Sequence, residues 1–315
     1  MGHRMDHPGH APPNTVAATL RERWRMYPDR FDYLAPRTKE EALDVLAERG
    51  DEVKVLAGGQ SLIPLMKLRF ARPETLVDIN HLPDLDAIEL ANGHVRVQAL
   101  ARHAAIAGSE VVARENHVMA SAAPWVADPL VRNRGTLCGS LAHHDPEGDW
   151  ASVLLACGAD VVCESRDGGQ RVLPVEDFLT GMFETALEPT ELVVEVRVPR
   201  YSRGGGDYQK LERKIGDYAT VGVATHLELG DDGTITKAGV ALTSVYPHNL
   251  KVTDAEALLV GNAPGDELFA EAARVAAAAC DPSSDVRGTA EYKRAVVDAF
   301  VRRSLANSAA AAAAS

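Results

Sequence analysis

Cysteine is scarce in this chain. Four occur in 315 residues, Cys138, Cys157, Cys163 and Cys280, and no two stand at C-x-x-C spacing. That excludes a self-contained iron–sulfur or four-cysteine zinc site and argues against a disulfide scaffold. The four are expected to pack as small reduced hydrophobes. No stretch approaches the ~18 consecutive apolar residues of a membrane span, and residues 1–25 hold no apolar run of the kind a signal peptide needs. A cytoplasmic protein without a membrane span is therefore expected. Basic residues are in deficit, 33 Lys and Arg against 45 Asp and Glu, for a formal net charge of −12. Such a chain is a poor counter-ion for nucleic acid. Also missing are G-x-G-x-x-G at the first βα unit, a GK[ST] ending, G-x-S-x-G, S-x-x-K and H-E-x-x-H. These absences disfavour a Rossmann or P-loop site and leave no nucleophile–base or zinc constellation. No catalytic residue and no metal ligand is assigned, and any chemistry is expected to belong to a bound cofactor.

What is present describes a folded, water-soluble chain. Hydrophobic types make up 46%, charged residues 25%, and mean hydropathy is −0.14. A length of 315 residues implies two or three packed units. Residues 1–25 read as a flexible extension in which His3, His7 and His10 sit among Pro and Gly, and Met26 could be the natural initiator. Residues 308–315, within ANSAAAAAAS, read as a low-complexity tail. Between these ends, TKEEALDVLAERG has apolar residues at helical spacing, a Thr38 cap and a Gly50 stop. EVKVLA alternates as a strand does and runs into Gly58-Gly59-Gln60-Ser61, with Pro64 tolerable only in a first helical turn. Strands follow at TLVDI and HVRVQAL, and Asp145-Pro146 reads as the cap and first position of a helix over EGDWASVLLACG. A hairpin is expected at DVVCES-RDGG-QRVLPV. Tyr201–Gly206 is the most linker-like stretch, and beyond it strands and then helices suggest an α+β unit.

Two glycine-bearing turns carry the chemical signal. In AGGQS, the N–H groups of Gly58, Gly59, Gln60 and Ser61 can converge on one point because glycine tolerates positive φ and close approach. Such nests bind phosphate without a cationic side chain, and a helix N-terminus behind them adds to the field. Alone, a Gly-Gly turn is as well explained by turn geometry. A second such turn, Gly135-Thr136-Leu137-Cys138-Gly139-Ser140, has Thr136 and Ser140 as added hydroxyl donors. Two such turns suit a long dinucleotide better than a mononucleotide. Asp145 and Asp149 could bind ribose hydroxyls or an adenine amino group; equally, Asp145 could cap a helix and Asp149 sit solvated in its first turn. Neighbouring His143 and His144 point in different directions and have no further ligand at metal spacing.

The runs VLAGGQSLIPLMKLR (55–69), VRNRGTLCGSLAHHDPEGDWASVLLACGA (131–159) and DVRGTAEYKRAVV (285–297) together resemble the FAD-binding medium subunit of the molybdenum hydroxylases. That family includes aerobic carbon monoxide dehydrogenase and the xanthine dehydrogenase relatives. FDYLAPRTKEEAL, RHAAIAGSEVV, ETALEPTELVVEVRVP and YQKLERKIGDYATVGVA look like it as well, so the likeness spans about residues 31–305. It implies an α+β chain with a two-lobed FAD-binding domain of PCMH type at 26–200. A C-terminal domain of antiparallel sheet plus helices, of the carbon monoxide dehydrogenase flavoprotein type, would follow at 206–307. It further implies that Val55, Leu56, Ala57, Gly58, Gly59, Gln60, Ser61 and Leu62, with Thr136, Leu137, Cys138, Gly139 and Ser140, surround the FAD pyrophosphate. Asp149 falls on the family's FAD-contacting aspartate, Leu187 on a loop that approaches the flavin, and Lys210 and Tyr218 on the C-terminal segment that faces the isoalloxazine. On the residues alone, Tyr218 could equally be a core tyrosine and Lys210 a solvated strand residue.

One departure stands out: Cys138 replaces the first glycine of the family's usual T-[IL]-G-G-[SN]. A Cβ there restricts positive φ and adds bulk beside the phosphates, which puts FAD affinity or loop shape in question. The resemblance implies an electron-transfer subunit. A small subunit with two 2Fe–2S clusters would feed it, and a large subunit with a molybdenum pterin would oxidise the substrate, in an (αβγ)2 assembly. NAD, a quinone, oxygen or another acceptor would take the electrons. A self-sufficient flavin oxidase of the same fold and a cofactor-free interaction subunit are the competing readings.

Overall fold

Strand alternation at Val53 and Val55 places one face of the first lobe on its core. In the computed structural model, which describes residues 27–201 and 203–315, this lobe has three parallel strands. They are β1 (Asp32–Leu34), β2 (Val53–Leu56) and β3 (Thr75–Asp78), ordered β1-β3-β2. The expected N-terminal extension, with its histidines and Met26, lies outside the described residues. Helix α1 (Lys39–Arg49) forms where the cap signals predict: the Glu41 N–H donates to Thr38 Oγ1 at 3.1 Å, and Gly50 ends the helix at φ +49°. Its Ala42, Leu43 and Leu46 are buried against Val53 and Val77. The short helix α2 (Leu62–Lys67) follows the first glycine turn and accepts Pro64 because a first-turn N–H needs no partner.

The second lobe is a five-stranded antiparallel sheet of β4 (Ile88–Ala91), β5 (His94–Gln98), β6 (Asp160–Ser165), β7 (Gly169–Pro174) and β10 (Glu191–Pro199). Its strand order is β4-β5-β10-β6-β7. Between β5 and β6 the chain makes helices α3 (His103–Ala107), α4 (Glu110–Glu115), α5 (His117–Ala122), α6 (Pro129–Arg132), α7 (Leu137–His143) and α8 (Asp149–Cys157). Short α9 (Val175–Phe178) and the two-stranded β8 (Leu179–Gly181) and β9 (Glu184–Thr185) precede β10. Central β10 is buried on both faces: Val196 and Val198 join the core under α7 and α8, whereas Leu192 and Val194 join that of the first lobe. This explains why ELVVEVRV shows no clean alternation.

The C-terminal unit is an antiparallel sheet of β11 (Gly204–Leu211), β12 (Val221–Leu229), β13 (Ile235–Thr243) and β14 (Leu250–Lys251). Helices α10 (Thr253–Leu259), α11 (Asp266–Ala279) and α12 (Ala290–Ala314) follow. Among the described residues no helix is long and apolar enough to cross a membrane.

Four expectations are corrected. The linker-like Gly204-Gly205-Gly206 is the start of β11, and the alanine-rich tail is the end of α12. The two features explain each other: a Cβ on Gly205 would lie 1.9 Å from the Ser308 carbonyl oxygen and 2.3 Å from the Ala312 nitrogen. Helix backbone therefore rests directly on strand backbone, with Ser308 and Ala312 buried. Asp145 does not cap α8; Gly148 occupies that position and Asp149 is the first helical residue. The Asp145 carboxylate instead accepts from the Glu147 N–H at 3.0 Å, closing a turn before the helix. Finally, most of the second glycine-bearing run is not a loop, since Leu137, Cys138, Gly139 and Ser140 are the opening residues of α7.

Candidate functional site

The first turn leaves β2 at the edge of its sheet, and Val55, Leu56, Ala57, Gly58 and Gly59 are only partly buried. Gly59 has φ +73°, and a Cβ there would crowd Ile63 Cδ1 at 2.8 Å and Leu56 Cδ1 at 2.9 Å. The N–H groups of Gly58, Gly59, Gln60 and Ser61 have no hydrogen-bond acceptor among the described residues. Ser61 precedes α2 without capping it through its side chain, and Leu62 is the first helical residue. Free, adjacent backbone donors at a positive-φ glycine are what an anion cradle requires.

Gly58 stands against the second turn. Its ideal Cβ would lie 2.5 Å from the Arg134 carbonyl oxygen and 2.7 Å from the Gly135 Cα. The two turns, one from each lobe, thus meet backbone to backbone. Behind the second turn, Gly135 leaves room for the His103 ring, whose Cδ2 and Nε2 lie 2.7 and 2.8 Å from the Cβ position. The His103 N–H donates to the Gly135 carbonyl at 2.9 Å. Trp150 Nε1–H donates to His103 Nδ1 at 3.0 Å, so the remaining imidazole proton sits on Nε2. Burial, helped by Arg132 and Arg102, lowers the His103 pKa to about 4 and keeps the ring neutral.

Thr136 caps α7, its Oγ1 accepting from the Gly139 N–H at 3.1 Å. Leu137 and Cys138 turn their side chains into the core and offer the site only backbone, whereas Gly139 and Ser140 remain partly exposed. Cys138 sits in ordinary helical conformation rather than at positive φ, with its Sγ 3.7 Å from the Val97 carbonyl oxygen. Burial pushes its thiol far above the usual range. The Cys138 side chain is buried in the core, and its backbone there does not call for positive φ.

The remaining expected residues form a second cluster at the start of α8. Gly148 backs onto Ser140 Oγ, its Cβ position 3.9 Å away, which places Asp149 one residue from the second turn. Asp149 is 6% exposed and its carboxylate is fully engaged: Oδ1 accepts from the Tyr208 hydroxyl at 2.6 Å and Oδ2 from Lys210 Nζ at 3.0 Å. Lys210 also donates to the Trp125 carbonyl at 3.0 Å and lies 3.6 Å from Glu212 Oε2. Lys210 is thus a buried ion-pair partner and not a solvated strand residue. Burial raises the Asp149 pKa, opposed by Lys210 and the Tyr208 hydroxyl. Tyr218 is 46% exposed and so is not a core tyrosine. Partial burial and the neighbouring Asp145 push its hydroxyl up to about 12. Leu187 is half-buried against the second-lobe core, beyond β9. His143 stacks near Phe183 at 5.1 Å, and His144 is buried with Nδ1 3.0 Å from the Glu184 carbonyl oxygen, so the adjacent histidines do separate. Sequence reasoning gave no role to Asn80, Arg102, His103 or Trp150; the quoted run RHAAIAGSEVV held two of them without any spacing that marked them.

The glycines at 58 and 135 let the two turns and the His103 ring pack closely, and the unpaired N–H groups at 58–61 are donors of the kind a diphosphate takes. Comparison with known proteins agrees. The family described as the FAD binding domain in molybdopterin dehydrogenase matches residues 29–201, and the CO dehydrogenase flavoprotein C-terminal domain matches residues 207–308. The carbon monoxide dehydrogenase medium chain of Hydrogenophaga pseudoflava is 40% identical over 281 residues, covering 89% of this chain and 97% of that one. The 6-hydroxypseudooxynicotine dehydrogenase complex subunit alpha of Paenarthrobacter nicotinovorans is 37% identical over 282 residues, covering 89% and 95%. Among solved structures, carbon monoxide dehydrogenase from Hydrogenophaga pseudoflava superposes with a TM-score of 0.86 at 41% identity, covering 90% of this chain and 99% of that chain. Quinoline 2-oxidoreductase from Pseudomonas putida 86 gives a TM-score of 0.83 at 31% identity, covering 90% and 99%. With both domains matched across nearly its whole described length, this chain belongs to the family of FAD-binding medium subunits of molybdopterin-dependent dehydrogenases.

Proposed function

We propose that this chain is the electron-transfer subunit of a three-component hydroxylase or dehydrogenase. A small subunit with 2Fe–2S clusters would be the electron donor, and a large molybdopterin subunit the site of substrate oxidation, in an (αβγ)2 assembly. The observation that supports this most directly is the apposition of Gly58 with Arg134 and Gly135, which brings the two turns together. FAD bound there supplies the ability to gather electrons singly and release them in pairs. The chain's own residues do the holding. The N–H groups at 58–61 and the start of α7 receive the diphosphate, and Ser61 and Ser140 add hydroxyls. Val55, Leu56, Ala57 and Leu62 wall the first turn, with Leu187 and Tyr218 on the flavin side. Asp149 and Lys210 would form a rigid floor beneath that side, because the Asp149 carboxylate is held by both Tyr208 and Lys210. The clusters and molybdenum are assigned to partner chains because the relatives are medium or alpha subunits of larger dehydrogenases.

The experiment is purification of the chain with whatever chains accompany it. Flavin absorption bands together with a cysteine-rich small chain and a large chain support the reading. A colourless chain that cannot be reconstituted with FAD sinks it, and a flavin-containing chain that oxidises substrate alone would instead identify a self-sufficient oxidase.

A further inference from the structure

The two turns are joined by a side-chain span as well as by close packing. Arg102 follows β5, and its Nη1 donates to the Arg134 carbonyl oxygen in the second turn. Its Nη2 donates to Asn80 Oδ1. Asn80 completes the span, donating through Nδ2 to the Ala57 carbonyl at 2.8 Å, one residue before Gly58. Asn80 is itself held, since its backbone N–H donates to Asp78 Oδ1 at 2.9 Å and Asp78 Oδ2 accepts from the Tyr33 hydroxyl at 2.6 Å. Arg102 is also fixed along its backbone, bridging Thr136 in an isolated antiparallel pair. One guanidinium and one amide therefore connect the first lobe's turn to the second lobe's turn.

We infer that Arg102, acting through Asn80, is the positioning residue that sets the separation of the two turns and adds a half-buried positive charge behind their N–H donors. This rests on the reading that the turns hold the FAD diphosphate. The physical case has two parts. A cradle assembled from two lobes binds tightly only if its halves are already spaced for the ligand, because otherwise binding must order them. The fork of an arginine can hold two acceptors at once, which the single ammonium of a lysine cannot do at the same geometry. Arg102 gives up part of its own hydration in this place: burial and nearby Arg134 lower its pKa, with Asp78 and Asp86 acting in the other direction.

The test uses the full chain with its partner chains, stripped of flavin and titrated with FAD by fluorescence quenching. Arg102→Met is expected to weaken FAD binding by about tenfold or more, the loss that follows from removing charge-assisted hydrogen bonds. Arg102→Lys is expected to fall between that variant and the parent, and to keep the salt dependence of binding that Arg102→Met loses. Asn80→Ala is expected to weaken binding as well. The double variant Arg102→Met with Asn80→Ala is expected to be no worse than the weaker single variant, because both break one span. An unchanged dissociation constant in Arg102→Met overturns the inference, as do fully additive losses. If Arg102→Met does not fold, unchanged binding in both Arg102→Lys and Asn80→Ala overturns it. Failure of the parent protein to bind FAD would count against the diphosphate reading itself, whereas tight binding by parent and variants alike counts only against Arg102.

Discussion

Gly58 and Gly135 come from different lobes and touch through bare backbone, the Cβ position of one falling 2.7 Å from the Cα of the other. The contact does not survive a side chain at position 58. Replacing Gly58 by Ala puts a methyl 2.5 Å from the Arg134 carbonyl oxygen, which only separation of the lobes' turns can relieve. Gly58→Ala is expected to lose flavin while keeping its circular dichroism spectrum, at about 1–3 kcal/mol of overpacking cost. Gly59→Val, at φ +73°, is expected to do the same. Full FAD content in either folded variant would remove the turns from the cofactor site.

Asp149 and Lys210 tie the two domains together. Lys210→Met strands a buried carboxylate, and breaking such a pair from one side costs about 3–5 kcal/mol. Asp149→Asn with Lys210→Met is expected to recover part of that loss, since Asp149 is then no longer a stranded carboxylate and only Glu212 has lost its cation. Urea midpoints of the parent and the two variants check this, and a double variant less stable than Lys210→Met contradicts it.

Cys138→Gly is expected to leave flavin content unchanged although it restores the family's glycine pair. The thiol lies in the core and not at the cradle, so the change removes buried volume and adds backbone freedom inside α7. A stability loss of about 1–2 kcal/mol is expected from those two effects. Absorption of the purified variant and its melting curve decide the point. Increased FAD affinity would show that the Cβ at 138 does matter to the cradle.

Acid should destabilise the chain through two buried imidazoles. Burial lowers the His103 pKa to about 4 and the His226 pKa to about 3, against 6.5 for an ordinary histidine. Below pH 6.5 the unfolded chain therefore takes up protons that the folded chain does not. The stability these neutral rings contribute is complete above about pH 7 and declines as pH falls from 6.5 towards 4. His226→Asn is expected to flatten the plot of unfolding free energy against pH between 6 and 5 by about one proton. An unaltered slope would show that His226 is already protonated in the fold.

Gly205→Ala tests the closing helix. Its methyl would overlap the Ser308 carbonyl of α12, and the variant is expected to lose about 1–3 kcal/mol and to expose residues 304–314 to proteolysis first. Wild-type protease resistance would mean that the end of α12 does not rest on β11.

Local signals placed many of the elements well. Thr38 and Gly50 marked the ends of α1, alternation marked β2, and the RDGG turn marked the β6–β7 hairpin, because each depends on residues a few positions apart. The second glycine-bearing run misled because its pattern reads as a turn where this chain has a helix start. Gly204–Gly206 misled for a related reason: Gly205 lets α12 lie on the strand, while Gly204 and Gly206 make room for Tyr201 and Val118.

The chain's scattered cysteines, its two glycine-bearing runs and its ordered family motifs were sufficient to identify an FAD-binding subunit and to single out 55–62 and 136–140 as candidate cofactor residues. They carry that information because backbone conformation and capping are set by neighbours in sequence. The meeting of Gly58 with Gly135, the inward turn of Cys138 and the pairing of Asp149 with Lys210 were decided only by the fold, as was the span from Ala57 through Asn80 and Arg102 to Arg134. Each joins segments far apart in sequence, and their proximity is fixed by how the lobes and the C-terminal sheet pack, which no local pattern of residues records.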